Sequence, residues 1–162
     1  FSNIPFDPYK LTILLFLADF LYYSTRSEQQ NEPLFRYIEA SIKWLDASQG
    51  NIANFHLVFM MRLSKFIGFF PNLDNHDHNI YFDLRNACFT ASAPLHPDFL
   101  HPEEAARIHT LTRMNYESMH LFKMTREQRN RCAEIILSYY RFHIPNFPEL
   151  KSFHVLKELF ST

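Results

Sequence analysis

The 162-residue chain carries 16 Lys+Arg against 17 Asp+Glu, a formal net charge of −1. That balance argues against a self-sufficient nucleic-acid binder, whose affinity rests on neutralising phosphates. Hydrophobic residues at 47% and aromatics at 17%, with 18 Phe, exclude a disordered chain, while only 2 Gly argue against a fold built on many tight turns. A mainly α, helical bundle is the expectation.

Asp7-Pro8 marks the first helix start, Asp as N-cap and Pro at the first helical position. The residues that follow, from Leu11 through Leu21, are apolar nearly all round, which predicts a helix to about Arg26, buried on most faces at the centre of a bundle. Polar residues 27–32 form a loop, and Pro33 opens a second helix with Leu34, Ile38, Ile42 and Leu45 at helical spacing, ending near Gly50. A third helix runs from about Ile52 through Phe55, Phe59, Leu63 and Phe66, with Gly68 as its stop.

Pro71, Pro94 and Pro97, with Asn72, Asn75, Asn79 and Asn86, break the pattern over 69–101. Within that stretch Ile80–Leu84 and Ala87–Thr90 read as strands around Arg85-Asn86, a small β-hairpin insertion near residues 78–92. Helix resumes at Pro102-Glu103-Glu104, its acids favoured by the helix dipole. Thr125-Arg126-Glu127-Gln128 has the form of a capping box and launches a long helix stopped before Pro145. A last helix over about 150–160 brings the total to about six.

Catalytic chemistry finds little support. Gly stands only at positions 50 and 68, so no Gly-rich phosphate loop exists, and Ser24, Ser64 and Ser118 lack an elbow motif. His76-Asp77-His78 with Cys88, His96 and His101 has irregular spacing for a zinc site. Cys88 and Cys132 form no spaced motif, which suits a reduced, cytoplasmic chain. The apolar run Leu11–Tyr23 is too short for a membrane span and contains Thr12 and Asp19. No enzyme, cofactor, metal or membrane attachment is expected; a His/Cys metal-dependent enzyme is the alternative from another class.

Basic residues cluster instead. From Ala105 to His143 seven cations (Arg107, Arg113, Lys123, Arg126, Arg129, Arg131, Arg141) face three acids (Glu117, Glu127, Glu134), a local balance of +4. Arg126 and Arg129 are expected to neighbour each other on one helical face. A solvated face is the plain alternative, with Glu127 paired to Arg131 four residues on. Phe16, Phe20, Phe55, Phe59 and Phe66 fall on core stripes; adjacent Tyr139 and Tyr140 point differently, so one is expected to approach the edge of the core or the surface.

Several segments taken in order resemble the C-terminal helical domain of the recombination protein O (RecO) family, in its Bacteroidetes variety. They are Phe59-Met60-Met61-Arg62-Leu63, Gly68-Phe69-Phe70-Pro71-Asn72-Leu73, Tyr81-Phe82-Asp83-Leu84 followed by Phe89, and Leu150-Lys151-Ser152; Leu45-Asp46-Ala47-Ser48 suggests the variety. The resemblance implies that residues 1–162 form that domain, with a DNA-binding OB-fold domain lying N-terminal to it; the start at Phe1 rather than Met fits such a cut. It implies a non-catalytic mediator of recombinational DNA repair in the RecF pathway. Such a mediator works with RecR, contacts DNA mainly through the N-terminal domain, and docks the acidic, Phe-ending C-terminal tail of single-stranded DNA-binding protein. Arg131 then falls at a basic position of the tail site, Arg126 and Arg129 supply steering, and Arg113 and Lys123 complete the partner-binding set. The family's four-cysteine zinc module does not carry over, since only Cys88 stands in residues 70–100. An all-helical interaction domain unrelated to repair remains the alternative.

Overall fold

The computed structural model describes residues 2–160. Six α-helices and one small sheet follow in the order α1 (Pro8–Thr25), α2 (Glu32–Ala47), α3 (Phe55–Phe66), β1 (Tyr81–Asp83), β2 (Cys88–Thr90), β3 (Phe99–Leu100), α4 (Pro102–Arg113), α5 (Arg126–His143) and α6 (Ser152–Lys157). The expected mainly α architecture with a small β insertion is what forms. Short 3₁₀ turns at Ile4–Phe6 and Met119–Leu121, and the two-residue β3, are additions.

Helix starts follow the local chemistry. Asp7 Oδ1 accepts the backbone N–H of Tyr9 and Lys10 at 2.9 and 3.2 Å, and Asn31 Oδ1 accepts that of Leu34 at 3.1 Å. Thr125 and Gln128 form a full capping box on α5. Helix α3 ends where Gly68 takes φ +96, letting the N–H groups of Gly68 and Phe69 both return to Ser64 O.

The centre of the bundle is α3, not α1. Residues 55–61 are buried without interruption, so α3 is packed on every side. Helix α1 buries one stripe, Ile13, Phe16, Leu17 and Phe20, while Leu11, Leu15 and Tyr22 stand in solvent, Tyr22 at 65% exposure. The expectation of an α1 buried on most faces is therefore wrong. An all-apolar helix carries no facing signal, and here its outer face is simply left uncovered by the described residues.

Sheet order is β2-β1-β3, antiparallel throughout, with Phe82 opposite both Phe89 and Leu100. Asp83 holds the hairpin turn: Oδ1 accepts the N–H of Arg85 and Asn86 at 2.9 and 3.0 Å. The buried face of Phe82 meets Tyr139 on α5, 5.9 Å between ring centroids. Tyr139 and Tyr140 are both fully buried, against the expectation that one approaches the edge of the core or the surface. Each phenol donates to a backbone carbonyl, of Phe69 and Met60 respectively, so the core takes both rings without orphaning a hydroxyl. Burial raises both phenol pKa values well above the ordinary range.

Candidate functional site

Helix α5 positions the basic cluster, and its geometry splits the five expected partner-binding cations into different environments. A residue advances about 100° around an α-helix, so Arg129 and Arg131 point roughly 200° apart. Arg131 lies half-exposed and is held by Glu104 from the first turn of α4: Nε and Nη2 donate to its two carboxylate oxygens, the second at 2.8 Å. Glu134 stands 3.6 Å from Nη1. The expected Glu127–Arg131 pair does not form, because the fork-on-fork fit to Glu104 across helices is the better geometry. Hydrogen bonding to Arg131 holds the Glu104 carboxyl below its ordinary range.

Arg129 is the opposite case. It is 7% exposed, so it does not share a solvent face with Arg126 as its spacing suggested. Its position follows the buried stripe of α5, Arg129, Cys132, Ala133, Ile136 and Tyr140. Nε donates to Asn54 Oδ1 at 3.3 Å and Nη2 to Met124 O at 3.1 Å, while the Phe160 ring lies 5.5 Å below the guanidinium carbon. Among the described residues it forms no ion pair. Burial lowers its pKa, the direction expected for a desolvated cation.

The remaining three cations are peripheral. Arg126 sits 3.8 Å from Glu158, and the Arg113 guanidinium lies 5.9 Å over the Phe122 ring. Lys123 is exposed at the rim of a recess of about 170 Å³ that Asn54, Met119, Phe122 and Arg129 also line.

Arg131 borders a separate cleft of about 280 Å³ between α5 and α6. Leu137, Leu150 and Phe153 line its apolar part, and Arg141, His154 and Lys157 stand with Arg131 as its basic groups. Glu134 and Glu149 are its acids. Such a cleft can take an apolar side chain beside an anionic group.

Two features were missed at the sequence level. Lys10 is 4% exposed, its ammonium donating to Asp46 O at 2.9 Å and Ser48 O at 2.6 Å. His56, in the first turn of α3, is buried with Nδ1 unpartnered. Burial and the neighbouring Arg129 charge pull its pKa down to about 3, so it is a neutral imidazole at physiological pH. The spacing of Lys10 to Ile13 and Leu17, and of Arg129 to Cys132 and Ile136, placed both cations on buried stripes and could have found them.

The histidine-rich segment does not assemble. Among the described residues no three His, Cys, Asp or Glu side chains gather as metal ligands. His76 instead stacks on His109 at 4.0 Å, and His96 Nε2 meets Asp83 Oδ1 at 3.0 Å. Cys88 and Cys132 are both free thiols, each with a pKa raised by burial. No described helix is long and apolar enough to cross a membrane.

The fold is thus a mainly α bundle bearing a short hairpin and split cationic recesses. The family model described as "Recombination protein O C terminal" matches residues 5–152, and the chain belongs to that family. It is 56% identical over 161 residues to the DNA repair protein RecO of Phocaeicola vulgatus, covering 99% of this chain and 67% of the relative. The RecO of Bacteroides fragilis is likewise 56% identical, over 99% of this chain and 66% of the relative. That of Porphyromonas gingivalis is 34% identical, over 98% and 66%. The chain thus spans about two thirds of the length of the curated relatives it matches. No solved structure matches. The family and the named relatives carry no catalytic description.

Proposed function

We propose that residues 1–162 are the helical docking domain of a recombinational DNA repair mediator, as the membership in the RecO family and the names of its relatives support. The whole protein then acts without catalysing a reaction, with RecR and single-stranded DNA-binding protein as partners in the cytoplasm and DNA held mainly by a separate N-terminal domain. The observation that carries the docking reading is the cleft between α5 and α6, where Arg131, Arg141 and Lys157 surround Leu137, Leu150 and Phe153. An acidic tail ending in Phe fits this chemistry: the ring enters the apolar part and the carboxylate meets Arg131 bidentately. Arg126, Arg113 and Lys123 steer the acidic segment by long-range attraction, and Arg129 adds to the local field from beneath the surface.

Glu104 is the internal competitor for Arg131, so binding requires the incoming carboxylate to displace or share it. Titrating a labelled acidic peptide ending in Phe into the wild type and an Arg131→Glu variant tests the reading. Affinity is expected to fall at least about tenfold, 1.4 kcal/mol. Unchanged affinity removes Arg131 from the site, and no binding to either protein removes the docking function.

A further inference from the structure

A second recess of about 350 Å³ lies away from the α5/α6 cleft, between the start of α1, the loop 50–53 and the beginning of α5. Lys10 and Arg129 line it, at 4% and 7% exposure, together with Tyr9 and Phe160. Neither cation forms an ion pair with a described carboxylate. Burying a charge in this way is costly unless something of opposite sign meets it.

The acids close by are committed elsewhere. Asp7 also lines the recess, but its Oδ1 accepts the N–H groups of Tyr9 and Lys10 and so offsets the dipole of α1. Asp46 accepts the N–H groups of Ser2, Asn3 and Ile4. Arg129 uses Nε on Asn54 and Nη2 on Met124, and its other N–H donors have no described partner.

The N-terminus of α3 adds to the same field. Asn54 is its N-cap residue, yet the side chain makes no capping bond. Its amide donates to Met119 O and Phe122 O at 3.1 and 2.9 Å and its oxygen holds Arg129. The N-terminus of α3 therefore lies beside Arg129 with no side-chain cap.

We infer that this recess binds the phosphate of a nucleotide, free or at the 5′ end of a nucleic-acid strand, with Lys10 and Arg129 as the anion contacts. Lys10 is partly met by the carbonyls of Asp46 and Ser48 at the end of α2, at 2.9 and 2.6 Å, whereas Arg129 keeps N–H donors to spare. A phosphate monoester, with about −1.5 to −2 charges and three acceptor oxygens, can meet both cations at once. An aromatic platform stands beside the anion position. Tyr9, 49% exposed, stacks on Phe160 with 5.4 Å between centroids and 20° between planes. Its open face extends that stack to a base, which a peptide carboxylate would not need.

The test uses fluorescence anisotropy with two short single strands of one sequence, labelled at the 3′ end and carrying either 5′-phosphate or 5′-hydroxyl. The phosphorylated strand is expected to bind at least about tenfold more tightly. Inorganic phosphate and dAMP should both compete, dAMP the better. Tyr9→Ala, an exposed position, should erase the advantage of dAMP over phosphate while leaving phosphate competition intact. Lys10→Met and Arg129→Met should erase the preference for the phosphorylated strand. Competition by dAMP at the strand's own affinity identifies the free nucleotide as the source; a tighter strand identifies the strand end.

Equal binding of the two strands overturns the proposal. So does a preference that survives Lys10→Met and Arg129→Met. An acidic peptide with a free carboxylate that competes where phosphate and dAMP do not makes the recess a peptide pocket, and the inference fails.

Discussion

Arg129 and Arg131 lie two residues apart on one helix and have opposite electrostatic fates. Arg131 is half-exposed and paired to Glu104 with two hydrogen bonds. Arg129 is buried against Asn54, Met124 and the ring of Phe160, with no carboxylate in contact among the described residues. A helix turns its residues through about 100° each, so charge counted along a sequence says nothing of where each charge ends up. The paired cation lends the surface a neutral, exchangeable contact. The buried one stores a positive field that only the protein's dipoles and an incoming anion can meet.

The largest expected effect comes from removing the support of the buried cation. Asn54→Leu strips Arg129 of an acceptor, removes the side-chain donor of Phe122 O and leaves Met119 O with the Phe122 N–H alone. It should cost about 3–5 kcal/mol in urea unfolding. Arg129→Met removes the charge itself and should cost much less, no more than about 1–2 kcal/mol. The reverse order would show that Arg129 stabilises the fold as an ordinary core residue and break the comparison.

A second effect is smaller and depends on pH. His56 has its pKa lowered from 6.5 to about 3 in the folded state. The unfolded chain therefore takes up a proton first as pH falls through 6.5, and the folded state loses stability until about pH 3. The slope contributed is at most about 1.4 kcal/mol per pH unit. His56→Leu should flatten that part of the stability profile; an unchanged profile would remove His56 from the account.

The smallest effect belongs to the exposed pair. Glu104→Gln should change stability by less than about 1 kcal/mol. It should nonetheless tighten binding of an acidic Phe-ending peptide, because Arg131 no longer has a carboxylate to release. Weaker binding would place the peptide away from Arg131.

Much of the fold was legible because helices announce their ends. Asp7-Pro8, Pro33, Gly68 and the Thr125–Gln128 box sit where the chain starts or stops a helix. Residues 80–84 and 87–90 read as a hairpin because Asp83, through the turn at Arg85-Asn86, is a short-range event. The facing of α1 was not legible, since uniform hydrophobicity leaves Leu15 and Leu17 indistinguishable although one is exposed and the other buried. Strand β3 pairs with β1 from 16 or more residues away, as in Asp83↔Phe99, a contact that no local pattern encodes.

The candidate sites were less legible for the same reason. Counting seven cations over 105–143 found the cluster but not its partition. Lys10 escaped notice within an apolar helix, although it falls on the stripe of Ile13 and Leu17. Partners from distant segments, Glu104 for Arg131 and Asn54 for Arg129, decided which cation is spent and which is held in reserve.

Thermal unfolding in phosphate against chloride at matched ionic strength tests the division between these two cations most directly. A ligand that binds only the folded state at 100 times its Kd adds about 2.7 kcal/mol, a rise of roughly 5–10 °C for a chain of this size. Wild type and Arg131→Gln should both show that rise, and Arg129→Met should show none. A full phosphate response in Arg129→Met, or its loss in Arg131→Gln alone, would contradict the assignment of the buried cation as the anion contact.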